Sequence, residues 1–195
     1  MTSPTSDAEP ERARLFVALA LPDPARQALA GWAGDVLDED DSLRLVPADA
    51  LHVTLAFLGW RDVTEIERIA EATGRATDGR SAPSLEPQAL TALPARQPRV
   101  LALDLLDRGD RLGGLQSSVE RALVESGLHE REERRFRPHL TVARVRRGGR
   151  PPVGRFPDPP GTPIRAGEVV VYRSDLRPTG ALYAALARLP LAKDS

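Results

Sequence analysis

The feature that most constrains this chain is a repeated four-residue pattern: His52-Val53-Thr54-Leu55 and His139-Leu140-Thr141-Val142. Each copy reads His, apolar, Thr, apolar and lies inside a longer apolar run. Successive side chains of a β-strand point to opposite faces, so residues i and i+2 share a side. His52 and Thr54 are therefore expected on one face, with Val53 and Leu55 anchoring the other in a core. His139 and Thr141 repeat the arrangement against Leu140 and Val142. The same parity puts Ala56 and Ala143 on the two His faces, where small side chains leave room for a ligand. It also puts Arg137 beside His139, where a charge-assisted contact to an anion is available. Phe57 falls on the core face opposite His52, and Asp49 has the wrong parity to join that His.

The surroundings of the two copies match. Arg14-Leu15-Phe16-Val17 reads as the start of a strand that precedes a helix and then His52, and Arg99-Val100-Leu101-Ala102 does the same before His139. The strand starts are 85 residues apart and the two His residues 87 apart. These spacings predict two related α+β halves, each contributing one His-x-Thr strand to a shared centre.

Strands are expected over 14–20, 43–46, 51–58 (closed by Gly59), 84–93, 99–106, 139–145, 166–173 and 181–189, with a turn at 176–180. Asp23 and Pro24 suit the start of a helix carrying Leu29, Trp32 and Val36 at helical spacing. Asp62 and Glu65 have the spacing of a capping box before a helix with Ile66 and Ile69. A further amphipathic helix carries Leu112, Leu115, Val119 and Leu123 and ends near Gly127. Residues 1–12 read as a disordered tail, and Arg146 to Pro163, rich in Arg, Gly and Pro, as a long mobile loop. Residues 13–195 then form a single domain of two lobes.

Composition narrows the chemistry. The chain has no Cys, which excludes thiol nucleophiles, thiolate metal sites and disulfides. A net charge of −1 gives no global field for nucleic acid, so an anionic substrate needs a local patch. Lys193 is the single Lys, leaving cations that are guanidinium forks suited to bidentate phosphate contacts. No apolar run is long enough to cross a bilayer and no signal peptide is evident, so the expected location is the cytoplasm. Neither a nucleophile elbow nor a Walker or dinucleotide glycine pattern occurs.

An imidazole with an ordinary pKa of roughly 6.5 can act as acid or base near neutrality. Two of them can divide the work, one giving a proton while the other takes one. That suits in-line displacement at phosphorus, where water attacks on one side and an alkoxide leaves on the other. Each Thr hydroxyl can donate to a non-bridging phosphate oxygen. Two His without carboxylates in register make a poor zinc set, so no metal or other cofactor is expected. His129, in a charged stretch, reads as incidental. The arginines from Arg131 to Arg155 read as solvated surface, part of which can meet an RNA backbone. Phe57, Trp60, Phe136, Phe156, Tyr172 and Tyr183 are the aromatics available for stacking a base.

These residues resemble the 2H phosphoesterases, and within them the RNA 2′,3′-cyclic phosphodiesterases, also called 2′-5′ RNA ligases. The resemblance is carried by Arg14-Leu-Phe-Val-Ala-Leu, Leu51-His-Val-Thr-Leu-Ala-Phe-Leu-Gly59, Phe136-Arg-Pro-His-Leu-Thr-Val-Ala-Arg144 and the stretch from Tyr172 to Gly180. It implies a bilobal, pseudo-twofold α+β fold with two antiparallel sheets lining a central cleft and helices outside. It implies metal-independent hydrolysis of RNA 2′,3′-cyclic phosphate ends, tRNA fragments among them, to 2′-phosphates, with 2′-5′ ligation as the counterpart. His52 would be the general acid, His139 the general base, and Thr54 and Thr141 the phosphate ligands. A monomer is expected, because one chain supplies both motifs. Two other readings stay open: a non-catalytic module that binds RNA ends, and a phosphodiesterase for small cyclic nucleotides such as ADP-ribose 1″,2″-cyclic phosphate.

Overall fold

A computed structural model describes residues 11–193 except 38, 153, 155, 178 and 179. The tail expected over 1–12 thus lies outside the described residues but for Glu11 and Arg12. Both belong to the fold, since the Glu11 carbonyl accepts from the Val63 N–H and Arg12 opens the first strand.

The elements run β1 (Arg12–Ala20), α1 (Asp23–Leu37), β2 (Leu43–Leu45), β3 (His52–Asp62), α2 (Ile66–Thr77), β4 (Ser84–Leu93) and β5 (Val100–Asp107). Then come α3 (Arg111–Glu125), β6 (His139–Val145), β7 (Ile164–Arg165), β8 (Glu168–Arg177) and β9 (Gly180–Pro190). One antiparallel sheet has the order β3-β1-β8-β9 and the other β2-β6-β5-β4-β7.

The expected duplication is visible in the connections. β1 leads through α1 to its antiparallel partner β3, and β5 leads through α3 to its partner β6. The helices join the two halves: α1 contacts β2 and β6 of the five-stranded sheet, while α3 contacts β3, α2 and its own β5. The apolar faces consequently merge into one core, which includes Leu15, Leu19 and Leu29 from the first half and Leu103, Leu115 and Leu140 from the second. Burying each such leucine contributes about 1.5–3 kcal/mol. Opposite His52 in the ladder stands Ala20, and opposite His139 stands Asp104, 84 positions on. The equivalent strand residues are therefore 84 apart, and Phe16, not Leu15, matches Val100.

Local signals behave as their chemistry requires. Asp62 accepts from the Thr64 N–H at 2.8 Å and Glu65 accepts from the Asp62 N–H at 3.3 Å, closing the capping box in a turn of 3₁₀ helix before α2. At the end of α3, Gly127 has φ +68°. Its N–H bonds to the Val124 carbonyl while the Leu128 N–H bonds to that of Leu123, a Schellman stop with both leucines buried.

Three expectations change. β3 does not close at Gly59 but continues to Asp62. The start of the loop read as mobile is tied down: the Arg146 N–H and Nε bond to the Ser42 and Leu43 carbonyls, and Ser42 Oγ donates to the Arg150 carbonyl. The closing strands reach further into the turn than expected, to Arg177 and from Gly180; its remaining residues, 178 and 179, lie outside the described residues. No helix among the described residues is long and apolar enough to cross a membrane.

Candidate active site

Both His strands carry a β-bulge at the same place. Thr54 pairs with Ala18 and Ala56 with Val17, leaving Leu55 as the extra residue. Thr141 pairs with Ala102 and Ala143 with Leu101, leaving Val142 extra. A bulge adds one residue without advancing the ladder, so it inverts the alternation beyond it. Ala56 and Ala143, expected on the ligand face, are accordingly buried in the core. Phe57, expected in the core, is half exposed and lines the cleft with His52 and Thr54. Its counterpart five residues after His139 is Arg144, which turns into the same cleft. A second shift, between Phe57 and Gly59 in the pairing with β1, re-aims Trp60 to the outside. Gly59 has φ +70°, a conformation that strains any residue with a β-carbon.

The two imidazoles are oriented in the same way. His52 Nδ1 lies 2.8 Å from the Ala50 carbonyl, and His139 Nδ1 lies 2.8 Å from the Arg137 carbonyl. A carbonyl only accepts, so each Nδ1 carries a proton and each Nε2 is left for chemistry. His52 Nε2 is 3.2 Å from Thr54 Oγ1, a bond in which the hydroxyl donates when the ring is neutral.

His52 is further held by rings. Phe16 lies 4.9 Å away, centroid to centroid, and Tyr183 meets it edge-on at 5.2 Å. Phe16 also stacks on Tyr172 at 5.2 Å. These side chains come from β1, β8 and β9 of the four-stranded sheet. The His52 pKa is lowered to about 4, first by this burial and then by the Arg144 cation and His139, against the opposing pull of the Ala50 carbonyl. His52 is therefore neutral near pH 7.

The cleft, about 220 Å³, brings together His52, Thr54, Phe57 and four arginines: Arg14, Arg44, Arg144 and Arg177. His139 and Thr141 stand on β6, which contacts β3; they are not among the residues lining this cleft, but His139 is near enough for its charge to act on His52. Arg137 is engaged elsewhere: its Nε and Nη2 donate to the two carboxylate oxygens of Asp104 at 2.8 and 2.7 Å. What it gives the site directly is its carbonyl, on His139. Asp104 also accepts from the Thr91 hydroxyl at 2.9 Å. His129 lies outside the cleft lining; its neighbours include Glu120 and Arg61.

Sequence reasoning did not single out Phe16, Arg14, Arg44, Arg144 or Arg177. Arg14 and Phe16 carried a usable signal, two positions apart in an otherwise buried strand. Arg144 closes a stretch that carries the family resemblance, but strict alternation would point it to the core, and only the bulge puts it on the ligand face. Among the described residues no three His, Cys, Asp or Glu side chains gather as a metal site.

Comparison with known proteins agrees with this geometry. The family profile of the 2′-5′ RNA ligase superfamily matches residues 21–149. An RNA 2′,3′-cyclic phosphodiesterase of Geobacillus stearothermophilus is 29% identical over 186 residues, 93% of this chain; the chain spans 58% of that relative's length. The protein of the same name from Archaeoglobus fulgidus is 31% identical over 134 residues, covering 69% of this chain and 73% of the relative. Among solved structures, E. coli LigT in its apo form superposes with a TM-score of 0.76 at 26% identity, covering 93% of this chain and 98% of LigT. With a profile match over most of its length and two His-x-Thr strands bulged at the same place, the chain belongs to the 2′-5′ RNA ligase superfamily.

Proposed function

We propose that the protein hydrolyses RNA 2′,3′-cyclic phosphate ends to 2′-phosphates without a metal, using His52 and His139 as an acid–base pair. The observation that carries this reading is the matched anchoring of the two rings, each with Nδ1 on the carbonyl two residues back and Nε2 left for proton transfer.

In the reaction His139 Nε2 takes a proton from water as the water oxygen bonds to phosphorus. The bond from phosphorus to O3′ breaks, and His52 Nε2 returns a proton to that oxygen. The phosphate stays on O2′. Thr54 and Thr141 donate to non-bridging oxygens, and Arg137 still has N–H donors beyond the two given to Asp104. A 5′-hydroxyl RNA end in place of water would yield a 2′-5′ linkage.

His52 must be protonated to act as the acid, yet its lowered pKa leaves it neutral near pH 7. The arriving phosphodiester supplies the missing stabilisation, because an anion beside an imidazole favours its charged form. Substrate binding near neutral pH is thus coupled to proton uptake at His52. The reading extends to a cytoplasmic monomer acting on tRNA fragments and similar ends.

The test uses a short RNA ending in a 2′,3′-cyclic phosphate, with EDTA present. The wild type is expected to convert it to the 2′-phosphate. His52→Ala and His139→Ala should each lose at least about a hundredfold, the lower range for a general acid or base. Binding without turnover by the wild type would favour recognition of RNA ends alone. Turnover that stops only when EDTA is added would assign the chemistry to a metal.

A further inference from the structure

Resting on the reading of His52 as a reacting group, we infer that Gln116, a buried side chain of α3, is a positioning residue for it. The Gln116 amide holds the β-bulge that follows His52 and Thr54, and so keeps the first His strand in the register that shapes the site.

A bulge leaves one residue without a partner in the ladder, and where that residue is buried its carbonyl still needs a donor. In β6 the extra residue is Val142, buried in the core, and its carbonyl accepts from the Val46 N–H at 2.8 Å. That donor belongs to the residue just after β2, the strand lying beside β6. In β3 the extra residue is Leu55, which is buried likewise. β3 is an edge strand, so among the described residues no strand stands on its outer side to supply an N–H. α3 contacts β3 instead, and Gln116 Nε2 donates to the Leu55 carbonyl at 3.4 Å. A side chain from the second half thus does for one bulge what a neighbouring strand does for the other.

The amide is itself held for this contact. Gln116 Nε2 also donates to Glu120 Oε2 at 3.0 Å, one turn further along the helix. A backbone carbonyl and an ionised carboxylate only accept, so the nitrogen, with its two hydrogens, is the atom that must face them both. Glu120 Oε1 accepts in turn from the Glu132 N–H at 2.8 Å, in the segment that runs from α3 to His139. The bulge matters because it inverts the alternation beyond it. With Leu55 returned to a regular ladder, Phe57 would turn into the core and Ala56 into the cleft. As the strand stands, the Phe57 ring stacks 6.4 Å from Phe16, centroid to centroid, and Phe16 packs on His52 at 4.9 Å. Removing the Gln116 donor leaves the buried Leu55 carbonyl unpaired, which penalises the bulged register and favours a slip of β3.

The test compares the wild type with Gln116→Met, which keeps the length of the side chain and removes both N–H donors. NMR contacts among the Phe16, Phe57 and His52 rings need no RNA, and those of Phe57 should weaken or vanish in the variant. Turnover is measured on a short RNA ending in a 2′,3′-cyclic phosphate, at a temperature where thermal melting shows each protein fully folded. There kcat should fall about tenfold, as expected for a small misplacement of a reacting group, while KM changes by less than about twofold. Gln116→Asn, whose amide falls one methylene short of Leu55, replaces the Met variant if that does not fold, and should give the same two losses. A folded variant with the wild-type kcat overturns the inference whatever its stability, because Gln116 would then only fill the core. Lost turnover with the Phe57 contacts intact overturns it too. A wild type without turnover overturns the reading of the reaction, and the ring contacts still decide whether Gln116 holds the bulge.

Discussion

His52 and His139 share a backbone device and differ in everything around it. In both, Nδ1 donates to the carbonyl two residues earlier, and in both a bulge follows the Thr. β3 is the edge of its sheet, whereas β6 lies between β2 and β5. His52 is packed by Phe16 and Tyr183 and faces Arg144. Opposite it in the ladder is Ala20, while His139 has Asp104 in that position, paired to Arg137. The comparison teaches that a duplicated motif orients two imidazoles alike, and that the surroundings of His52 then lower its proton affinity.

The largest expected effect of this asymmetry is on acid stability. An unfolded His titrates near 6.5 and His52 in the folded chain near 4. Between those values the unfolded chain holds the extra proton, so stability rises with pH across that window and falls on acidification. The contribution amounts to roughly 3 kcal/mol at most. Urea unfolding of the wild type and His52→Asn at pH 4 and pH 6.5 isolates it, since other acid-sensitive groups are common to both. Equal pH dependence in the two proteins would mean that His52 is not desolvated.

A smaller effect concerns which feature lowers the His52 pKa. Burial is the leading cause and Arg144 a lesser one. Tyr183→Ala, which opens the ring packing, should raise the His52 value by about one unit, or about 1.4 kcal/mol. Arg144→Leu should raise it by less. NMR titration of the His52 imidazole protons reads both, and a larger shift from Arg144→Leu would make charge, not burial, the controlling cause at His52.

The smallest effect belongs to the His139 side. Asp104→Ala releases Arg137, and the ion pair is exposed, so stability should change little. Turnover should still fall about threefold, because the carbonyl that orients His139 belongs to Arg137, and a lost positioning contact of under about 1 kcal/mol corresponds to a few-fold in rate. An unchanged kcat would mean that the strand alone holds the ring.

What the chain's sequence determined by itself is whatever depends on neighbours in sequence. Alternation over four residues put His52 with Thr54 and His139 with Thr141, and the flanking strand–helix units announced the duplication. The capping box at Asp62 and the stop at Gly127 were legible for the same reason, since a cap is made by residues within one turn. What the tertiary structure decided is whatever depends on pairing between distant strands. The bulges after Thr54 and Thr141 exist only against β1 and β5, and they sent Ala56 and Ala143 inward and Phe57 and Arg144 outward. Arg44 joins the cleft because a three-residue strand from the first half adds to the sheet of the second. Arg137 shares the parity of His139, yet its guanidinium is held by an Asp that lies 33 residues away in sequence. Local periodicity thus located the two reactive rings, and the long-range ladder chose the cations and aromatics that surround them.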